Sequence, residues 1–218
     1  PIPSQLDRLG FPRAAWDAIV TSGDAIRAEL AQRAPGPMYK IGPDGDRVLW
    51  DGLGLQFSDL PSARFIGISG LNFDGREAPE DYAETLRQAR ARDLELLCAN
   101  PDIVVRVGDR LIWCAGAIAR DYAAIGGRVV MAGKPHAPIY ELADRELKLL
   151  SGRPIDKARI LAIGDGAGTD VKGANAQRID CLFIASGMHG EALWSDGVLD
   201  TSKVALALGE EGVTARYA

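Results

Sequence analysis

Hydrophobic and polar positions change rhythm several times along this chain, and each change predicts an element. Leu6, Leu9 and Phe11, followed by AAWDAIVTSGDAIRAELAQR, predict a helix, a short strand at Ala18–Val20 and a second helix over 24–33 that Ser22 or Asp24 can cap. The APGP run at 34–37 breaks the pattern, because two prolines flanking a glycine neither continue a helix nor donate to a sheet. A domain boundary is expected there.

From Met38 to Gly127 short apolar runs alternate with turns: MYKIG, RVLWDG and ARFIGISG, an amphipathic helix in PEDYAETLRQARARD, and a strand in LELLCAN. VVRV and RLIW follow, joined by a Gly-Asp pair at 108 and 109 that suits a hairpin turn. This stretch reads as a small mixed α/β unit. After it come a strand in RVVMAG, a helix with Ile139, Leu142, Ala143, Leu147 and Leu150 on one face, a strand in ARILAIG, a helix in TDVKGANAQRI and a strand in DCLFIAS. Alternation of strand and helix is the signature of a parallel, doubly wound sheet. The expected fold class is therefore α/β, with a core at 1–36 and 129–218 interrupted by a unit at 37–128.

Length and composition bound this picture without changing it. The 218 residues suffice for one large domain or two small ones, and 47% hydrophobic with 25% charged residues is the balance of an ordinary globular protein. A formal charge of -5 argues against nucleic acid as a partner, since that affinity comes mainly from neutralising phosphates. No segment calls for a membrane, and no cationic-then-apolar leader opens the chain. Cys98, Cys114 and Cys181 have no CxxC spacing and read as reduced, buried thiols of a cytoplasmic protein. With only His136 and His189, the chain is short of imidazole for a histidine metal site or a Ser/His/Asp triad. His136 reads as a surface residue, and His189 lies near the carboxyl end of a strand. Trp50, Trp113, Phe73 and Tyr122 could line a pocket in the middle unit, but core is the commoner environment for such residues.

The chemistry concentrates in ILAIGDGAGTD at 160–170. In a parallel sheet, ligands bind beyond the carboxyl ends of the strands. Asp165 sits at that end and Asp170 opens the next helix. Capping alone would explain Thr169 and Asp170 as well as a functional role would. It does not explain Asp165, because a carboxylate at the mouth of an apolar strand is costly unless paired or bound to metal. Oxygen ligands on a tight glycine turn suit Mg2+, which takes one or two carboxylates with water and substrate phosphate. Gly164, Gly166 and Gly168 also approach a dinucleotide fingerprint, but the third glycine of G-x-G-x-x-G is missing and Asp165 would repel a pyrophosphate. In GKPHAP at 133–138, Lys134 lies on the loop between a strand and a helix with Pro138 in its first turn. A lysine there can act as a point charge on a metal-bound phosphate.

Together, GKPHAPIYELA and GDGAGTDVKGA resemble motifs III and IV of the haloacid dehalogenase superfamily. The likeness is to the branch with a type IIA cap, which includes p-nitrophenylphosphatase-like, pyridoxal-phosphate phosphatase-like and NagD-like enzymes. TSGDA at 21–25, the N-P-D of CANPDIVV, CAGAIA and FIASG match further elements of that branch, in order along nearly the whole chain. The resemblance implies a Rossmann-like core with an inserted α/β type C2 cap, and Mg2+-dependent hydrolysis of a small phosphorylated metabolite. In that family one aspartate attacks phosphorus to form an aspartyl-phosphate, and another, two residues on, protonates the leaving group. By position, Lys134 would bind the phosphoryl group and nucleophile, Asp165 would ligate Mg2+, and Asp170 would support or share that ligation. Gly166 and Thr169 would line the phosphate, Asn100 and Asp102 would shape the cap face above the substrate, and a homodimer is compatible with the family.

The family's first two motifs do not occur in these 218 residues. No D-x-D-G ends a core strand, and PDGD at 43–46 lies in the middle unit. The sequence therefore leads us to expect a natural protein with roughly 40 to 60 further N-terminal residues, enough for two βα units, and an inactive 218-residue form. The rival expectation is a catalytically inactive protein of the same fold that keeps the phosphate cradle.

Overall fold

The computed structural model describes residues 2–73, 75–107, 110–187 and 190–218. In chain order the elements are α1 (Ile2–Arg8), α2 (Ser22–Ala31), β1 (Met38–Ile41), β2 (Phe65–Ile68), α3 (Ala83–Ala91), β3 (Glu95–Cys98), β4 (Val104–Val107), β5 (Arg110–Trp113) and α4 (Ala115–Ala124). There follow β6 (Arg128–Met131), α5 (Ala137–Ser151), β7 (Leu161–Gly164), a π-helical turn at Ala167–Val171, α6 (Lys172–Gln177), β8 (Asp180–Phe183), β9 (Trp194–Ser195), β10 (Val198–Leu199) and α7 (Thr201–Glu210). The chain divides into a continuous unit, Ser22–Ile139, and a discontinuous one, Pro1–Thr21 with Tyr140–Ala218.

In the continuous unit four parallel strands run in the order β1-β2-β3-β6. Central strands of such sheets are covered on both faces, which is why FIGI and ELLC read as nearly unbroken apolar runs. Ile66, Ile68, Leu96 and Cys98 meet Leu86 and Ala89 of α3 and Ile118, Ala119 and Tyr122 of α4 in one core. Each Ile or Leu among them, fully buried, contributes about 1.5–3 kcal/mol. At Gly67 the Met38 sulfur and the Trp50 ring fill the space a side chain would need. β4 and β5 pair antiparallel as the expected hairpin, whose turn at Gly108 and Asp109 lies outside the described residues.

Several expectations are corrected here. RVLWDG forms no strand; residues 44–49 wind into a 3-10 helix that Arg27 ties to α2 by donating to the carbonyls of Val48 and Asp51. No strand forms at Ala18–Val20. The expected boundaries after 36 and 128 fall inside the continuous unit, because β6 hydrogen-bonds to β3 and α2 packs on the same strand. Of the four aromatics, Trp50 and Tyr122 are core, whereas Trp113 and Phe73 are exposed. All three cysteines are buried, as expected.

Burial pushes the Cys98 thiol up to about 12, against a partial offset from a hydrogen bond with the Asn100 backbone. The unfolded thiol ionises near its ordinary value, so above that value the unfolded chain loses a proton that the folded chain keeps, and stability falls as pH rises towards 12. Cys98→Ala should remove this share of the decline. Between pH 8 and 10, urea midpoints should show wild type losing roughly 1 kcal/mol more than the variant; equal losses would contradict the account.

In the discontinuous unit β7 and β8 pair in parallel, Leu161 with Asp180 through Gly164 with Phe183. Cys181 and Phe183 face a second core completed by Val171 and Ala174 at α6 and by Val204 and Leu208 of α7. Tyr217 bridges the far side of β8, exchanging backbone hydrogen bonds with Cys181 and Phe183. Gly164 turns its carbonyl towards β8, where it accepts from the Ile184 N–H at 2.8 Å. Alternation along a strand then turns the N–H and C=O of Leu161 and Ile163 the other way. Their side chains are 45% and 64% exposed. α5 has its predicted apolar stripe but no fully buried residue. No described helix is long and apolar enough to cross a membrane.

Candidate active site

The expected aspartates lie on one loop at the carboxyl end of β7. Asp165 leaves the strand half-buried, and its side chain lies against the backbone of Gly187, where an added Cβ would fall 2.3 Å from the carboxylate. The SG loop after β8 is thus brought to the Asp165 loop. Gly166 organises the turn. Its carbonyl accepts from the N–H groups of Asp170 at 2.8 Å and Val171 at 3.1 Å, and its own N–H donates to Asp170 Oδ2 at 3.0 Å. The Asp170 carboxyl group also fills the space beside Gly164. Asp170 therefore locks the loop from inside and does not cap α6, which starts at Lys172 without a side-chain cap. Thr169 is exposed, with its hydroxyl over Gly166.

Two further groups feel the Asp170 charge. Burial, reinforced by the Asp170 charge, pushes the Tyr140 phenol up to about 12 and raises the Cys181 thiol. Sequence reasoning missed Tyr140, whose place beside Ala143 and Leu147 on α5 reads as ordinary packing, and Gly187, whose only signal was the SG pair.

The continuous unit gathers the other expected residues at the carboxyl ends of β3 and β6. Asn100 Oδ1 accepts from the Asp102 N–H at 3.1 Å, folding N-P-D into a tight turn. Gly133, next to Lys134, packs against Ser22 and Pro101. Ser22, the N-P-D turn and the GKP segment are thus neighbours within one unit. Lys134, Asp102 and His136 are exposed and Asn100 is half-buried. His189 lies outside the described residues.

The loop's donor set is hard oxygen, the kind Mg2+ or Ca2+ takes. Asp165 offers a carboxylate at the strand mouth, while one oxygen of Asp170 is committed to Gly166. Among the described residues no three His, Cys, Asp or Glu side chains cluster as a complete metal cage. One or two such carboxylates, completed by water and substrate oxygens, are a set that Mg2+ takes.

A family model described as HAD-hydrolase-like matches residues 131–207, which include Lys134, Asp165 and Asp170. A crystal structure of a hydrolase of the haloacid dehalogenase-like family from Brucella suis 1330 is 44% identical, with 87% of this chain and 74% of that chain covered and a TM-score of 0.71. p-Nitrophenyl phosphatase from Archaeoglobus fulgidus shares the fold at 19% identity, with 98% and 77% covered and a TM-score of 0.64. Glycerol phosphate phosphatase from Mycobacterium tuberculosis, solved in complex with calcium, does so at 23% identity, with 86% and 53% covered and a TM-score of 0.58. No curated protein matches the sequence. The chain belongs to the haloacid dehalogenase-like family of hydrolases. Its α/β fold, with parallel strands flanked by helices, is the one that the motif resemblance implied.

Proposed function

We propose that this chain carries the metal-binding and phosphate-binding parts of a Mg2+-dependent phosphatase of small phosphorylated metabolites. The observation that carries the reading is the Asp165 loop: a carboxylate at the carboxyl end of a parallel strand, on a turn locked by the Asp170–Gly166 hydrogen bond and backed by Gly187. In this reading Asp165 holds the ion, and Asp170 keeps the turn rigid and shares in ligation. When bound, Mg2+ neutralises charge that develops on the phosphoryl oxygens. Lys134 supplies a positive charge to the same group. Gly166 and Thr169 line the phosphate, and residues 37–128 serve as the cap, with Asn100 and Asp102 on its substrate face. The attacking carboxylate and the proton donor belong to a D-x-D-G segment that these 218 residues do not contain.

The test is turnover of p-nitrophenyl phosphate with Mg2+ by the 218-residue form and by a form with a D-x-D-G βα segment added upstream. The short form should be inactive and the longer form active. Hydrolysis by the short form, abolished by Asp165→Ala, would overturn the account of the nucleophile. Phosphate binding without turnover in the longer form would favour the inactive binding protein instead.

A further inference from the structure

Tyr140 stands outside the roles given so far. It occupies the first turn of α5, yet its ring reaches α6, where an added Cβ at Gly173 would lie 2.0 Å from the hydroxyl oxygen and 2.6 Å from Cζ. Such distances fall well inside van der Waals contact, so Gly173 is required by the phenol. Gly173 is in the turn that follows Asp170, and the phenol is close enough to Asp170 for the carboxylate charge to act on it. The Asp170 carboxyl group is thus held between the bare Cα of Gly164 and the Gly166 N–H, and Gly173, three residues on, carries the Tyr140 hydroxyl.

We infer that Tyr140 is a positioning residue, whose hydroxyl edge, seated on Gly173 beside Asp170, holds the Asp170 carboxylate where it accepts the Gly166 N–H and so fixes the direction in which Asp165 leaves β7. The inference deepens the metal-site reading and rests on it only for its consequence; the geometry it describes is internal to the loop. The physical route is short. A carboxylate that accepts a backbone N–H from within its own turn is held by one hydrogen bond, and such a bond persists only if the carboxylate cannot rotate away. Removing the phenol opens that rotation. Adding a methyl at Gly173 has the same effect by a different cause, since it displaces the phenol.

Amide hydrogen exchange by NMR, with the Gly166 N–H as reporter, tests this in the 218-residue chain. Tyr140→Phe should raise exchange at Gly166 about fivefold, and Tyr140→Ala about tenfold or more, since each loosens one charge-assisted hydrogen bond. The amide of Leu97 in β3 should not change. Gly173→Ala alone should behave like Tyr140→Ala, whereas Gly173→Ala in the Tyr140→Ala background should add little, because the atom it collides with is gone. Unchanged exchange at Gly166 in both tyrosine variants, or additive effects of the two alanine substitutions, would overturn the inference. A Mg2+ titration of the same samples separates the two readings. Weaker Mg2+ affinity in Tyr140→Phe with Asp165 intact supports positioning; a wild-type chain without any Mg2+ response sinks the metal reading and leaves the Gly166 amide to decide on Tyr140.

Discussion

Gly116→Ala is expected to destabilise the protein by roughly 2 kcal/mol or more in urea denaturation, against the ordinary sign of a glycine-to-alanine change within a helix. Helix propensity alone would stabilise by about 1 kcal/mol. The opposing term is steric. An added Cβ at Gly116 would lie 2.1 Å from the Pro101 carbonyl oxygen and 2.5 Å from that of Asp102. Both are backbone atoms of the N-P-D turn and cannot swing aside as the tip of a side chain could. The Gly116 N–H also donates to the Asp102 carbonyl at 3.0 Å, so helix and turn must part for the methyl to fit. Overpacking costs about 1–3 kcal/mol and a lost hydrogen bond about 1 more; together they outweigh propensity. Gly209→Ala in α7 is the control, since nothing lies within 4 Å of its missing Cβ. It should stabilise by about 0.5–1 kcal/mol. Gly116→Ala and Gly209→Ala shifting the midpoint in the same direction would refute the steric argument.

The second large effect is expected at the proposed metal site. Mg2+ at about 100 times its dissociation constant should stabilise wild type by roughly 2.7 kcal/mol, seen as a rise in thermal midpoint. Asp165→Asn should abolish that rise. The amide preserves the shape packed against Gly187 but removes the negative charge that a hard cation requires. Asp170→Asn should weaken the Mg2+ response without abolishing it, because its share of the ligating charge is lost while its amide oxygen can still accept from Gly166. Full Mg2+ stabilisation in Asp165→Asn would place the ion elsewhere.

How much of this was legible in the sequence follows from the range of each interaction. Strands and helices whose pattern is set by burial, such as FIGI, ELLC and the α5 stripe, follow from periodicity. The segment at 44–49 was misread because its apolar residues, Val48 and Leu49, resemble a strand run, while its local turns and the Arg27 tie favour a 3-10 helix. β6 was assigned beyond the boundary because its pairing with β3 depends on a partner more than 30 residues earlier, to which a local pattern is blind. Asp165 announced itself as a charge ending an apolar run. Asp170 looked like a helix cap, and its bond back to Gly166 depends on a π-helical turn that composition does not encode. Tyr140 was invisible for the same reason: it matters through Gly173, 33 positions away, and both residues have commonplace explanations on their own.

The two edges of the β7/β8 sheet are finished differently. Tyr217 closes β8 with backbone hydrogen bonds, and Arg216 pairs with Asp180 at 2.6 Å on that side. Across the sheet, Leu161 and Ile163 turn backbone groups and exposed aliphatic side chains outward together, with no strand beside them among the described residues. An edge without charge, proline or bulge is a template on which another strand can add. A strand added there, from an upstream segment or from a second molecule, would cover the Leu161 and Ile163 side chains and complete their backbone hydrogen bonds.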